Sequence, residues 1–290
     1  MQPVPRADER LRICLCADDV GLLPAIDAGA LELVALGRVH ALTCMVGAPH
    51  WAATRAAVRA QFDAIDVGLH LDFTEHPLER ASRRSLCSLV MATCLHTVSR
   101  QAIRREIGAQ LDAFADDVGR MPRFVDGHQH VHQLPVLRDA LVEELDRRTR
   151  AGPRPWLRST RRPPPGRAGG SGGWRSDLKH AVVEALGARA LGALGRRHGY
   201  PQNRALLGVY DFGEASTSHA ARVESWLALA RDGDLLVCHP GAKQASNDRI
   251  AAARAAELEL LSSPLFAWML RDRGITLAPL SRILEAAPQS

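Results

Sequence analysis

Two adjacent carboxylates, Asp18 and Asp19, close the apolar run in Leu11 to Gly21, LRICLCADDVG. Neighbouring aspartates at a strand end point in different directions, so one can bind a metal ion while the other handles a proton on the water beside it. Three more segments end in the same manner. His70 sits at the end of AIDVGLHL, His128, His130 and His132 follow the short run in MPRFVDGHQHVH, and His239 stops DLLVCHPG just before a Pro-Gly turn. The three alternating histidines share one face if their segment stays extended, and imidazoles near acid groups commonly hold a divalent metal. Each signal has a plainer explanation: an aspartate capping the next helix, or a hydrogen-bonded core histidine. Four such explanations falling at the same kind of position account for the pattern less well than one shared metal site.

The elements that must bring these residues together follow from the hydrophobic pattern. Ile13 to Ala17 is apolar at every position, as suits a strand covered on both faces of a parallel sheet, where reacting groups sit just past the strand ends. Further strands are expected over 39–46, 64–71, 155–159, 206–212 and 234–239, with a short one before His128. Tyr210 and Asp211 fall near the end of the 206–212 run. Helices are expected over 25–36, 52–61, 98–118, 136–149, 178–197, 220–230 and 249–262. Ile103, Ile107, Leu111 and Phe114 recur at helical spacing, and Pro135 suits a helix start.

A βαβα order of this kind predicts an α/β fold: a single (β/α)-barrel-like domain over residues 11–290 after a polar tail, 1–10. Residues 160–174, rich in Pro, Gly and Arg, are expected to be a flexible loop. Arg158, at a strand end, could hold a polar substrate group or serve structure. His50 and Trp51 either border a pocket or begin a helix. Leu86 to Leu95 reads first as a core helix forming a cleft wall; an oligomer-facing or lipid-facing surface is the alternative.

Composition narrows the function classes. At 290 residues the chain can bury a large core, no apolar stretch is long enough to cross a bilayer, and Met1 to Arg10 is polar where a signal peptide would be apolar, so a cytoplasmic location is expected. Four of the six cysteines (Cys14, Cys16, Cys44 and Cys238) lie in apolar runs and none forms a CxxC pair, which predicts reduced thiols. The net charge of +5 rests almost wholly on arginine and raises nucleic-acid binding as the rival, non-enzymatic reading. The arginine clusters are small and loop-borne or helix-terminal, and aromatics at 4% are too sparse for a base-stacking platform, so no nucleic-acid partner is expected.

In order and spacing, CADDVGL, GLHL, DGHQHVH and VCHPG resemble the motifs of the YdjC-like carbohydrate deacetylases, which include chitooligosaccharide deacetylase and the hopanoid-associated sugar deacetylases. The resemblance runs from about residue 11 to residue 280. It implies a distorted (β/α) barrel related to polysaccharide deacetylases, using one divalent metal ion to remove acetyl from an N-acetylated sugar. By position, it implies Asp19, His70 and His128 as ligands, Asp18 as the base and His239 as a candidate acid; beside such a site His130 and His132 could orient ligands or touch substrate. Two nitrogens and one oxygen suit Zn, Co or Mn; Mg, which the resemblance also permits, is less at home among imidazoles. Val20 and Asp27 depart from the family pattern. The competing enzymatic reading is a metal-dependent hydrolase of another amide or of a phosphoester, and a homodimer is compatible with either.

Overall fold

Side-chain alternation along the first strand, β1 (Leu11–Val20), sets the plan of the molecule. Ile13, Leu15 and Ala17 join a large outer core shared with the helices, while Cys14 and Cys16 join a second, inner core with Ala41, Phe124, Trp156, Leu206, Leu235 and Val237. The computed structural model describes residues 11–150, 152–164, 174–212, 218–242 and 248–286. The tail 1–10 and residues 165–173 of the expected flexible loop lie outside the described residues.

The strands that follow are β2 (Ala41–Cys44), β3 (Asp66–Leu71), β4 (Phe124–Gly127), β5 (Trp156–Leu157), β6 (Leu206–Leu207), β7 (Asp234–Cys238) and β8 (Ile275–Leu277). They form one sheet in the order β5-β4-β3-β2-β1-β7-β6, with β8 paired to the start of β1 and every pair parallel. The two outer strands approach each other: Leu157 N–H donates to the Pro201 carbonyl and Leu206 N–H to the Arg161 carbonyl, both at 2.8 Å. The sheet therefore curls into an incompletely paired barrel, the distorted (β/α) architecture expected. Around it run α1 (Pro24–Ala35), α2 (Trp51–Arg59), α3 (Leu86–Cys94), α4 (Arg100–Val118), α5 (Leu137–Arg148), α6 (Trp174–Ala185), α7 (Ala188–Arg197), α8 (His219–Leu229), α9 (Ala251–Ser262), α10 (Pro264–Asp272) and α11 (Leu280–Glu285). Among the described residues no helix is long and apolar enough to cross a membrane.

Three expectations need correction. The helix expected over 178–197 is two, α6 and α7, parted at Gly187, where φ is 151° and a Cβ would lie 2.1 Å from the Gln133 carbonyl oxygen. The strand expected over 206–212 pairs only at Leu206–Leu207, because Gly208, at φ 91° and too close to the Val237 carbonyl for any Cβ, turns the chain off the sheet. Tyr210 and Asp211 thus reach the cavity from a loop. The stretch expected as a core helix, α3, buries Leu89 and Thr93 but leaves Met91 63% and Leu95 68% exposed. The cysteines form no disulfide; Cys14, Cys16, Cys44 and Cys238 are buried while Cys87 and Cys94 are exposed.

The inner core beneath the strand ends is tightly filled. Phe124 and Trp156 stack at 4.0 Å between ring centroids, and a Cβ on Gly68 would stand 2.4 Å from the Phe124 ring. Trp156 is pinned in turn by an Nε1–H bond to Asp66 Oδ2 at 3.0 Å. Gly68→Ala is accordingly expected to lower stability by about 1–3 kcal/mol, as overpacking does. Urea denaturation would measure it, and an unchanged midpoint would contradict this account of the stack.

Candidate metal and catalytic site

The same pleat that sends Cys14 and Cys16 inward sends Asp18 inward at the next level. Pairing sets Thr43 and His239 beside Asp18, and two residues beyond the paired Gly68, Phe124 and Trp156 come His70, Asp126 and Arg158, whose side chains meet those of Asp18 and Thr43 across the barrel. Above an apolar layer the barrel is thus capped by a polar one. Arg158, fully buried, donates from one guanidinium nitrogen to Asp18 Oδ2 (2.6 Å) and from the other to Asp18 Oδ1 (2.7 Å) and to Cys16 Sγ (3.1 Å). The same second nitrogen lies 2.6 Å from Asp126 Oδ2. Asp126 Oδ1 accepts from Thr43 at 2.6 Å and pairs with His70 Nδ1 at 2.7 Å. Between two carboxylates the Arg158 guanidinium stays charged in spite of its burial, and Arg158 and His70 together hold Asp126 well below the usual carboxylate range.

Asp19 breaks the alternation. Its φ of 66° is left-handed, and the register between β1 and β2 shifts across it. The odd-numbered aspartate therefore turns from the outer face toward the rim, where Oδ1 lies 3.5 Å from His70 Nε2 and 3.1 Å from His128 Nδ1. Its other oxygen, Oδ2, accepts from the Arg254 guanidinium at 2.7 Å. Burial alone would raise the Asp19 pKa, but Arg254 and the two histidines hold it well below its ordinary value. Burial likewise works against the His70 imidazolium, yet Asp126 and the Asp19 hydrogen bond raise its pKa to about 9. Asp19 and Glu75, whose Oε1 is 3.2 Å from His128 Nε2, raise that of His128.

Atoms from Asp19, His70 and His128 lie within 4.8 Å of one another, close enough to share one metal ion. The donor set fits such an ion in a further respect. His70 spends Nδ1 on Asp126 and turns Nε2 toward Asp19, the carboxylate–histidine arrangement that orients an imidazole ligand. Asp18, His70 and Asp126 also cluster at that spacing, but Arg158 occupies both carboxylates of that set, which makes it a buried ion network.

The histidine-rich segment is not extended. Residues His128–Gln133 form a 3-10 turn in which Gln129 and His130 have left-handed φ of 53° and 61°. The expectation of three histidines on one face is therefore wrong: His128 meets Asp19, His130 lines the cavity, and His132, buried away from it, pairs through Nε2 with the Arg158 carbonyl at 2.9 Å. Arg158 does not line the cavity; of its two readings the structural one matches its contacts, which lie beneath Asp18. His50 pairs with Asp27 and Trp51 Nε1–H donates to Asp117 at 2.7 Å, which leaves Pro49 as the cavity-lining residue of that segment.

The cavity holds about 880 Å³. Asp18, Asp19, His70, His128 and His239 line it together with Leu22, Leu86, Val209, Tyr210 and Phe212. A mainly apolar vessel of this size with polar groups gathered at its floor suits a small polar molecule with hydrocarbon faces. His239 enters from the far side of Asp18, its Nε2 3.9 Å from Asp18 Oδ2 and its ring edge-on to Phe212 with centroids 5.1 Å apart. Burial pushes its pKa down to about 4.

A profile of YdjC-like proteins matches residues 12–272. The chain belongs to the YdjC-like family. It is 28% identical to human carbohydrate deacetylase over 96% of this chain and 93% of that one. A chitooligosaccharide deacetylase from an Enterobacter species is 30% identical over 42% of this chain and half of its own length. Among solved structures, a proposed cellobiose-phosphate cleavage protein from Enterococcus faecalis aligns with a TM-score of 0.66 at 19% identity, covering 95% of this chain and 99% of its own. A peptidoglycan N-acetylglucosamine deacetylase aligns at 0.51 and 10% identity, over 97% and 92% of the two chains. At such identities these two likenesses speak for the fold.

In this YdjC-like chain four residues of the site escaped sequence reasoning. Asp126 was in view inside DGHQHVH, but nothing local reveals that it braces His70. Glu75 sits in a loop with no periodicity. Arg254 and Glu257 are helical, and they carried a usable signal: charged residues at 254 and 257 stand on the same stripe of α9 as Leu260 and Leu261 and are buried with them. Glu257 accepts the His239 backbone N–H at 2.5 Å and the Tyr210 hydroxyl at 2.6 Å, and its burial raises its pKa to about 7.

Proposed function

We propose that the protein is a metal-dependent carbohydrate N-deacetylase that removes acetyl from an N-acetylglucosamine-type mono- or oligosaccharide or glycolipid. One observation carries the reading: Asp19 Oδ1 faces nitrogens of both His70 and His128 at the floor of a cavity, in a chain that aligns over nearly its whole length with a named carbohydrate deacetylase. Amide hydrolysis needs an activated nucleophile, a polarised carbonyl and a proton for the departing nitrogen. A divalent ion held by Asp19, His70 and His128 would supply acidity to water and to the acetyl oxygen. Asp18 takes the proton from the attacking water, its carboxylate oriented by the two Arg158 nitrogens. His239, neutral at rest through its burial and 3.9 Å from Asp18, takes up the proton that Asp18 has removed from water and passes it to the sugar nitrogen as the C–N bond breaks. Acetate and the free amine leave. Leu22, Leu86 and Phe212 exclude bulk water from this exchange and offer apolar surface to the sugar and its acetyl methyl.

Incubation with a panel of N-acetylglucosamine compounds is expected to release acetate from at least one of them, with loss of release on addition of a chelator. Release that persists in chelator at the same rate would defeat the metal-dependent reading. No release from any member would defeat the substrate class.

A further inference from the structure

Arg254 is a charged side chain of α9, only 4% exposed, placed against the carboxylate read above as a metal ligand. Its terminal nitrogen bonds Asp19 Oδ2 at 2.7 Å and its Nε bonds Asp248 Oδ2 at 2.7 Å, so the guanidinium is braced from its far side. Asp19 Oδ1, the other oxygen, is the one that faces His70 and His128. A carboxylate free at both oxygens can chelate a cation with both; one that accepts a charge-assisted bond at Oδ2 has a single oxygen to offer.

The chain makes room for this contact. A Cβ at Gly241 would meet Arg254 Cβ and Cδ at 3.2 Å, and one at Gly29 would meet the Gly241 backbone at 3.2 Å. Gly241 N–H also bonds the Arg254 carbonyl at 3.2 Å. The glycine of the HPG turn thus serves the arginine, a role that the chemistry of His239 does not explain.

We infer that Arg254 is a positioning residue that restricts Asp19 to one coordinating oxygen, so that a divalent ion at Asp19, His70 and His128 keeps positions open for water and the acetyl oxygen. The inference rests on the metal-site reading above. Its cost is also plain: a buried positive charge beside a cation site opposes cation binding. An arginine that only supported the fold would, on removal, loosen the ligands and weaken metal affinity about 10- to 100-fold, as loss of a bracing partner does.

Arg254→Met and Gly241→Ala separate these possibilities, with Co²⁺ as the probe. Affinity would be measured by competition with a fluorescent chelator, and coordination by the visible absorption of the bound ion. For Arg254→Met the expected results are Co²⁺ affinity raised about tenfold, since the opposing charge is gone, weaker visible absorption as the coordination number increases, and kcat lowered at least about tenfold. Gly241→Ala, which displaces the side chain without removing it, should move all three in the same direction by less, and it carries the test if Arg254→Met does not fold. Lower Co²⁺ affinity with an unchanged spectrum in a folded variant would overturn the inference. A wild-type protein that binds no Co²⁺ would instead overturn the metal-site reading itself.

Discussion

Arg158→Ala is expected to destabilise the protein by about 3–5 kcal/mol at neutral pH, the scale for removing one partner from a buried ion pair. Asp18 and Asp126 both lean on this guanidinium, and both carboxylates are buried, at 3% and 0% exposed. The pH dependence has a definite sign. Asp126 is depressed in the folded state, so its contribution is present above its unfolded pKa of about 4 and is lost as pH falls toward the folded value. Without Arg158 that depression is relieved and Asp126 can take up a proton on acidification. The gap between wild type and variant should therefore stay level from pH 8 to about pH 5 and narrow as the pH falls below about 4, when both are unfolded in urea. A pH-independent gap would mean that lost packing, not charge, dominates. Arg158→Lys should recover only part of the loss, because a point charge cannot reproduce two bonds to Asp18 together with the ion pair to Asp126.

Asp18→Asn is the complementary change. Asparagine keeps the shape and still accepts one of the two Arg158 bonds through its oxygen, but it takes up no proton from water. Acetate release is expected to fall by about 10²- to 10⁴-fold, the range for loss of a general base, while bound metal per chain stays at the wild-type level. Stopped-time acetate assays on the metal-analysed variant would measure both. A fully active Asp18→Asn would remove Asp18 from the mechanism while leaving the metal site standing, and a variant without metal would move Asp18 from the base to the ligand sphere.

The legible part of this protein was whatever short-range pattern encodes. Strands that are apolar throughout and stop at Asp18–Asp19, His70 and His239 announce a covered parallel sheet with chemistry at its C-terminal ends, and the structure gathers those ends on one rim. The turn at Asp19 was not legible, because left-handed φ at a non-glycine residue is set by its surroundings and not by its type. The same limit misled the reading of His128 to His132, where two left-handed residues replace an extended run. Arg158 stands at a strand end with an open role in the sequence; only the curl of the sheet, which carries the end of β5 across the barrel to β1, reveals that it sits under Asp18 and not in the cavity. Asp126 and Arg254 act through partners 56 and 235 residues away, separations at which no local pattern carries information. The break at Gly187 came from a carbonyl on another segment, also invisible locally.

A metal reconstitution titration tests the central claim most directly. Protein stripped by chelator is supplied with increasing Zn²⁺, and acetate release from the best N-acetylglucosamine compound is followed at each addition. Activity is expected to rise from the stripped baseline and reach its plateau at one ion per chain, with Asp19→Ala showing neither the rise nor the bound ion. Full activity in the stripped protein, or an Asp19→Ala variant that binds the ion and works as wild type does, would contradict the account.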